Sequence, residues 1–200
     1  MNNKSGLNYA IKYCVTIFLC LHYSLLSADL KNQKLNIVSG KALFTLVKTT
    51  PQGDSKMSGL ASKISGNLDL QEKKVNVKMD IGHENFQLSG QFKFANNRMH
   101  ETYMESKKYP QAGYSGRIVS FDPGSGKASA LGSFTLHGVT KENVALDGTI
   151  EKTTNPSEYL LVCSFSINLN DYKIPVPDIK LAKVNEIVQI KVKFVLREAK

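Results

Sequence analysis

Cysteine is scarce in this sequence, and its placement excludes one common means of stabilising a fold. The three cysteines are Cys14, Cys20 and Cys163, and the first two lie in an apolar N-terminal stretch. If that stretch is removed, a single thiol remains and no intrachain disulfide can form. Cys163 lies in a segment of alternating apolar residues, so we interpret it as a small core residue rather than a nucleophile.

Acidic residues are fewer than basic ones. The sequence has 17 aspartates and glutamates and 26 lysines and arginines, which gives a net charge of +9. The lysines are spread along the chain and often alternate with apolar residues, which is typical of the solvated face of a sheet. Nucleic-acid binding requires a clustered basic patch with stacking aromatics, which the sequence lacks. We therefore expect no nucleic-acid partner and at most a weak contact with anionic membranes or acidic ligand heads.

The sequence also lacks any constellation that demands an enzyme. His83, His100 and His137 are not spaced as metal-binding pairs, although the last two could approach each other in space. The Gly-Ser-Gly-Lys run at residues 124–127 lacks the earlier glycine and the following hydroxyl of a phosphate loop. No nucleophile elbow is present. We therefore predict no catalytic residue, no metal site and no cofactor.

The N-terminus has the order of features of a secretory signal peptide. Lys4 and Lys12 supply positive charge, residues 13–26 are mostly apolar, and small residues precede a cleavage point after Ala28. The apolar run is too short and too interrupted for a membrane span, although an uncleaved anchor is the alternative. We therefore predict residues 1–28 to be a signal peptide.

Residues 29–200 then form one domain, which we expect in the periplasm or secreted. Removal of the two N-terminal lysines, with no acid, lowers the net charge from +9 to +7. The hydrophobic fraction of 42% is sufficient for a sizeable core.

Alternation of apolar and polar residues with a period of two dominates this domain. Successive side chains of a strand point to opposite faces, so each such segment buries one side and exposes the other. The clearest apolar faces are Val75, Val77, Met79 and Ile81; Val144, Leu146 and Ile150; Leu161, Cys163, Phe165, Ile167 and Leu169; and Val188, Ile190, Val192, Phe194 and Leu196.

Turn signals separate the alternating segments, the clearest being Asp-Pro-Gly-Ser-Gly at residues 122–126. Together they predict about eight to ten strands, which fits a barrel or a sandwich. No long helical segments interleave the strands, which disfavours a parallel α/β fold. The sequence therefore predicts an all-β fold.

One segment departs from the alternation and predicts a short helix over residues 96–108. Asn96 or Asn97 is the expected N-cap, and Pro110 follows the end. Met99 and Tyr103 are four residues apart and share a helix face. A single short helix in an all-β chain often covers a barrel mouth or a sheet edge.

Apolar side chains cluster around this helix. Phe86, Leu88, Phe92 and Phe94 alternate just before it. For any one of them, packing in the core is the simpler interpretation. As a group they suit a ligand cavity, because a barrel of about eight strands either fills with side chains or holds one small ligand.

Two runs carry a resemblance to a known family. Residues 99–110 read Met-His-Glu-Thr-Tyr-Met-Glu-Ser-Lys-Lys-Tyr-Pro and lead into a strand with Tyr114, and residues 132–141 read Gly-Ser-Phe-Thr-Leu-His-Gly-Val-Thr-Lys. They resemble the two signatures of the YceI-like (polyisoprenoid-binding) family. Residues 58–68, 165–167 and 171–174 follow in the family's order, so the resemblance spans residues 33–197.

The resemblance implies an antiparallel lipocalin-like β-barrel with one short helix, export to the bacterial envelope, and in some members an isoprenoid chain inside the barrel. Combined with the alternation, it suggests that eight apolar side chains face a ligand. They are Phe92, Phe94, Met99, Tyr103, Tyr114, Phe134, Leu136 and Phe165.

Three functions follow from the sequence in decreasing order of preference. The first is an exported protein that binds or carries an apolar, lipid-like small molecule, such as an isoprenoid, inside the barrel. The second is a structural or stress-related envelope protein whose barrel is filled by its own side chains. The third is a hydrolase or redox enzyme, which would need a polar cluster around His100 or His137. The sequence does not predict an oligomeric state.

Overall fold

The structure, a computed structural model, describes residue 30, residues 32–179 and residues 182–199. The signal peptide predicted for residues 1–28 lies outside these residues. The strands are β1 (Lys34–Thr50), β2 (Gly53–Ala61), β3 (Ile64–Asp69), β4 (Lys74–Asp80), β5 (Phe86–Leu88), β6 (Gln111–Phe121), β7 (Lys127–Leu136), β8 (Val139–Lys152), β9 (Glu158–Asn168), β10 (Asp178–Ile179), β11 (Ala182–Val184) and β12 (Ile187–Glu198).

Eight of these strands close into an antiparallel barrel. Around it they follow the order β1-β12-β9-β8-β7-β6-β4-β3, and β3 pairs with β1 again. β1 pairs along one edge with β12, whereas its other edge pairs with β3 over Lys34–Asn36 and with β2 over Ala42–Thr50. The predicted all-β fold and antiparallel barrel with one short helix are confirmed, and a 3-10 turn (Leu169–Tyr172) also follows β9.

The alternation read from the sequence describes the two faces of the barrel wall. In β12, Val188, Phe194 and Leu196 are buried inside, whereas Lys191 and Lys193 are exposed outside. The same alternation places Val75 of β4 inside and leaves its neighbours in contact with water. Removing the inner faces from water is the main driving force for this fold, at about 25 cal/mol per Å² of apolar surface.

Two glycines make room for a large side chain inside the barrel. Gly116 of β6 and Gly132 of β7 are paired, and a Cβ on Gly132 would lie 2.5 Å from the Gly116 Cα. A Cβ on Gly116 would lie 3.0 Å from the hydroxyl of Tyr114. That hydroxyl donates a hydrogen bond to the Val144 carbonyl at 3.1 Å. The small residues therefore allow the Tyr114 ring to lie inside the barrel with its polar end satisfied.

The helical segment (residues 90–103) differs from the predicted helix in both its ends and its form. It consists of a 3-10 turn (Gly90–Ala95), an α-helical turn (Asn96–Arg98) and a π-helical turn (Met99–Tyr103). Asn96 does not cap it, because its Oδ1 accepts a hydrogen bond from the Leu88 N–H at 2.7 Å. The predicted bounds, residues 96–108, are therefore wrong at both ends.

The alternation predicted through Phe94 is also wrong. Gly90 adopts a positive φ of 61°, which ends the extended chain after β5. Phe92 and Phe94 then lie on a helical turn, where residues two apart point in different directions. Phe92 is buried, whereas Phe94 is 85% exposed. Over the part of the chain that the structure describes, no helix is long and apolar enough to span a membrane.

Candidate functional site

The barrel interior contains two adjoining cavities. The mouth cavity, next to the helical segment, has a volume of about 440 Å³, and the deep cavity below it has a volume of about 130 Å³. Ala42, Met79, Phe134 and Ile190 line both. The two spaces therefore adjoin inside one barrel, and these four residues lie at their junction.

The mouth cavity is enclosed by barrel walls, the helical segment and the connection between β9 and β12. Its walls are almost entirely aliphatic or aromatic. They include Leu46, Met57, Leu88, Ile167, Ile174 and Val188. The volume falls in the range of small-molecule sites, about 300–1,000 Å³.

The deep cavity has the same apolar character and lies between strands on opposite sides of the barrel. Its walls include Ile64, Val75, Ile118, Leu146, Leu161 and Val192. Cys163 also lines it, and burial raises the pKa of this thiol to about 11. Burial likewise raises the pKa of Tyr114 to about 12. Both groups are neutral at physiological pH, so neither brings a charge into the deep cavity.

The structure places seven of the eight side chains suggested by the sequence in the walls of these cavities. Phe92, Met99, Tyr103 and Leu136 line the mouth cavity, Tyr114 and Phe165 line the deep cavity, and Phe134 lines both. Phe94 borders the mouth cavity, but its side chain is exposed, so its inferred inward orientation is wrong. Whether any of them contacts a ligand stays a prediction.

Aromatic contacts hold the junction between the cavities. The Phe134 ring makes edge-to-face contacts with Phe165 and with Tyr172, both at 5.7 Å between ring centroids. Phe44 and Phe86 stack at 4.5 Å where β5 meets the barrel. Such pairs contribute about 0.5–1.5 kcal/mol each beyond their burial. These contacts stabilise the Phe134 ring at the junction of the two cavities.

Sequence reasoning missed two charged residues and one segment of the mouth. Lys48 and Arg98 both line the mouth cavity, as do residues 174, 175 and 177 of the connection before β11. For Lys48 a signal was available, since it continues the inward series Ala42, Phe44 and Leu46 on β1. The connection carried no periodicity that could have revealed its position.

His100 is a buried polar group beside the mouth cavity. Its Nε2 lies 2.7 Å from the Phe86 carbonyl, which can only accept, so Nε2 carries the proton and donates. Nδ1 of the neutral ring then accepts from the Ser106 hydroxyl at 2.7 Å. Burial lowers the pKa of His100, the Phe86 hydrogen bond partly opposes this, and the neighbouring His83 lowers it slightly further. The geometry thus favours a neutral structural histidine.

His137 occupies a tight turn on the same side of the barrel. Its Nδ1 donates to the Tyr172 carbonyl at 3.1 Å, and its Nε2 lies 3.1 Å from a carboxylate oxygen of Glu105. The ring of Tyr109 packs against it edge-on at 4.5 Å. His137 and Gly138 both have positive φ, as a type I′ hairpin turn between β7 and β8 requires.

These polar groups stabilise the fold, and their arrangement does not indicate a particular reaction. Both nitrogens of each buried histidine are engaged with fixed partners. Among the described residues, no three histidine, cysteine or acidic side chains cluster closely enough to hold a metal ion. What the arrangement offers chemically is an apolar enclosure of defined shape.

Comparison with models of protein families shows which family the chain belongs to. The model of the YceI-like domain matches residues 33–196 of the chain. The chain belongs to the YceI-like family. The comparison with curated proteins found no match.

Solved structures agree on the fold. BcnA of Burkholderia cenocepacia is 18% identical, with 76% of this chain and 95% of that chain covered and a TM-score of 0.56. A polyisoprenoid binding domain from Saccharophagus degradans is 10% identical, with 82% and 99% covered and a TM-score of 0.56. The Campylobacter jejuni YCEI protein is 19% identical, with 71% and 84% covered and a TM-score of 0.54. At these identities the likeness shows the fold alone.

In this YceI-like domain the segments that carried the sequence resemblance meet at one place. Glu105 and Tyr109 come from the first signature, and His137 and Gly138 from the second. A Cβ on Gly138 would lie 2.5 Å from a ring carbon of Tyr109, so glycine permits their contact. Tyr172, from a third matching segment, supplies the carbonyl that His137 binds. The signatures therefore join three loops beside the mouth.

We predict that His100 makes stability depend on pH. Because its folded pKa lies below the unfolded value of about 6.5, the unfolded chain binds the proton more readily. Stability is fully present above that value and falls as the pH drops through it, by up to about 1.4 kcal/mol per pH unit.

Urea unfolding at pH 7.5 and pH 5.5 measures this loss. The His100→Gln variant should lose less stability between the two pH values than the unmodified chain. His83→Gln, which removes an exposed neighbouring histidine, is the matched control and should retain most of the dependence. Equal losses in the unmodified chain and His100→Gln would contradict the assignment.

Proposed function

We propose that this chain binds the hydrocarbon chain of a lipid-like molecule, such as an isoprenoid, inside its barrel. The observation that carries the proposal is the mouth cavity of about 440 Å³, lined by apolar side chains and continued by the deep cavity. A barrel filled by its own side chains would leave no comparable space, because protein interiors are packed as densely as organic crystals. This favours the binding protein over the purely structural envelope protein.

The driving force would be burial of apolar surface. Each methylene group transferred from water contributes about 0.8 kcal/mol, and an apolar cavity need not give up well-bonded water. Walls of leucine, methionine and phenylalanine adapt to flexible chains and impose little geometric selectivity. We therefore propose binding, not catalysis, and a preference set by chain length and shape.

The related structures support the class of ligand without identifying it. The Saccharophagus degradans structure is described as a polyisoprenoid binding domain, and it shares the barrel with this chain. The low identity means that the side chains lining the two barrels need not match. An isoprenoid is accordingly one member of the proposed class, and other long apolar chains belong to it too.

The site predicts a specific effect of blocking the junction. Ala42 is buried and lines both cavities, so the Ala42→Phe ring would separate them. We expect the variant to bind a long-chain fluorescent lipid at least about tenfold more weakly, a loss of about 1.4 kcal/mol. A short-chain homologue, which needs only the mouth cavity, should bind with nearly unchanged affinity.

Ala145→Phe is the matched control, since Ala145 is exposed on the outer face of β8. Circular dichroism on the same samples checks that both variants fold. Unchanged long-chain affinity in Ala42→Phe would show that the ligand does not extend into the deep cavity. If the delipidated, folded chain binds no long-chain apolar probe, the binding proposal should be abandoned for the structural one.

Export belongs to the same proposal and rests on the basic and then apolar N-terminus. Intact-mass measurement on protein from the periplasm or medium of the native host should give a chain beginning near Asp29. Recovery of the full-length chain from the cytoplasm of that host would contradict export.

A weak contact with an anionic membrane is also part of the proposal. Phe94 is 85% exposed beside the mouth cavity, and the adjacent Lys93 is exposed as well. An aromatic ring next to a cation can enter the interface of an anionic bilayer. Such a contact would bring the mouth close to lipid.

Sedimentation with anionic vesicles tests this contact. We expect weak binding that is lost at high salt and reduced several-fold in Phe94→Ser. Leu131→Ser, at an exposed apolar position on the barrel wall, is the control and should bind as the unmodified chain does. Equal vesicle binding by Phe94→Ser and the control would place the contact elsewhere.

A further inference from the structure

We infer that the ligand carries an anionic headgroup, a carboxylate or a phosphate, which Lys48 and Arg98 hold at the mouth of the barrel. This inference rests on the proposed function. Among the described residues lining the mouth cavity, Lys48 and Arg98 are the charged ones, and both are cationic. The cavity thus combines an apolar interior with charge of a single sign.

Lys48 occupies a position where the barrel pattern calls for an apolar side chain. Ala42, Phe44 and Leu46 precede it on the inward face of β1, and the strand ends at Thr50. Lys48 is half-buried, and its Nζ lies 5.9 Å from the centroid of the Phe92 ring. Its ammonium group therefore lies where the apolar wall ends and water begins.

Arg98 approaches the same cavity from the helical segment. Its side chain is exposed, and its guanidinium carbon lies 5.8 Å from the centroid of the Tyr103 ring, which also lines the cavity. The ion pairs among the described side chains involve other cations, namely Lys63, Lys74, Lys108, His137, Lys141 and Arg197. Neither mouth cation is neutralised in those pairs.

Two cations of different shape suit an oxyanion. A guanidinium group can donate two parallel hydrogen bonds to a carboxylate or phosphate, and an ammonium group adds a mobile point charge. Because the Arg98 side chain is exposed, the headgroup could remain partly hydrated and avoid the large cost of burying an ion. An alcohol with the same hydrocarbon chain as the anion gains the same burial of apolar surface, but it lacks the attraction between the anion and the two cations.

A matched set of ligands tests the inference on the delipidated full chain. The set is a long-chain fatty acid, the alkyl phosphate of equal chain length and the corresponding alcohol, each competing with a fluorescent lipid. We expect at least one anion to bind about tenfold more tightly than the alcohol at low salt, with the preference reduced at high salt. Whether the acid or the phosphate binds more tightly identifies the headgroup.

The double variant Lys48→Gln/Arg98→Gln should bind the anions and the alcohol with similar affinity, while its affinity for the alcohol stays near that of the unmodified chain. Lys107→Gln is the matched control, because Lys107 is an exposed lysine just after the helical segment and does not line the cavity. It should retain the preference for anions.

The outcomes separate this inference from the proposed function. Equal binding of alcohol and anions by the unmodified chain would overturn the anionic headgroup and leave apolar binding intact. A preference that survives in the double variant would overturn the assignment to Lys48 and Arg98. If the unmodified chain binds none of the three ligands or the probe, the proposed function itself fails.

Discussion

The architecture depends on the fact that one edge of a strand can pair with only one neighbour at each position. β1 uses its free edge twice, pairing with β3 over Lys34–Asn36 and with β2 over Ala42–Thr50. The first pairing closes the barrel at its base. The second occupies the same edge of β1 over Ala42–Thr50, so β3 does not pair there and the eight-stranded wall is open beside the mouth cavity.

The opened side is covered by short elements. β5 pairs with β2, the helical segment follows it, and the carbonyl of Phe86 accepts a hydrogen bond from Nε2 of the buried His100. Backbone groups that a closed wall would pair with each other are here satisfied by side chains such as Asn96 and His100. The elements around the mouth are therefore held together by hydrogen bonds from polar side chains, whereas the side chains that line the cavity are mostly apolar. This combination suits the enclosure of a lipid chain.

The segments of the family resemblance belong to this support. His137 in its tight turn connects to Glu105 behind the helical segment and to Tyr172 before the final strands. These contacts join parts of the chain far apart in sequence beside the mouth. Other residues of the same signatures, namely Met99, Tyr103, Phe134 and Leu136, line the cavities, so the signatures contribute both to this support and to the apolar walls. The two cations of the proposed headgroup site, Lys48 and Arg98, lie outside the signatures.

The sequence alone determined the two faces of β4, β8, β9 and β12, because side chains alternate with a strict period of two, and burial followed that period from Val75 in β4 to Leu196 in β12. Of the eight ligand-facing positions that it suggested, seven lie in the cavity walls, and it also indicated the family. Only the tertiary structure decided which strands pair across the closure, how much space remains inside, and where the helical segment points Phe94. These features depend on long-range pairing and on one positive φ at Gly90, and local periodicity carries no information about either.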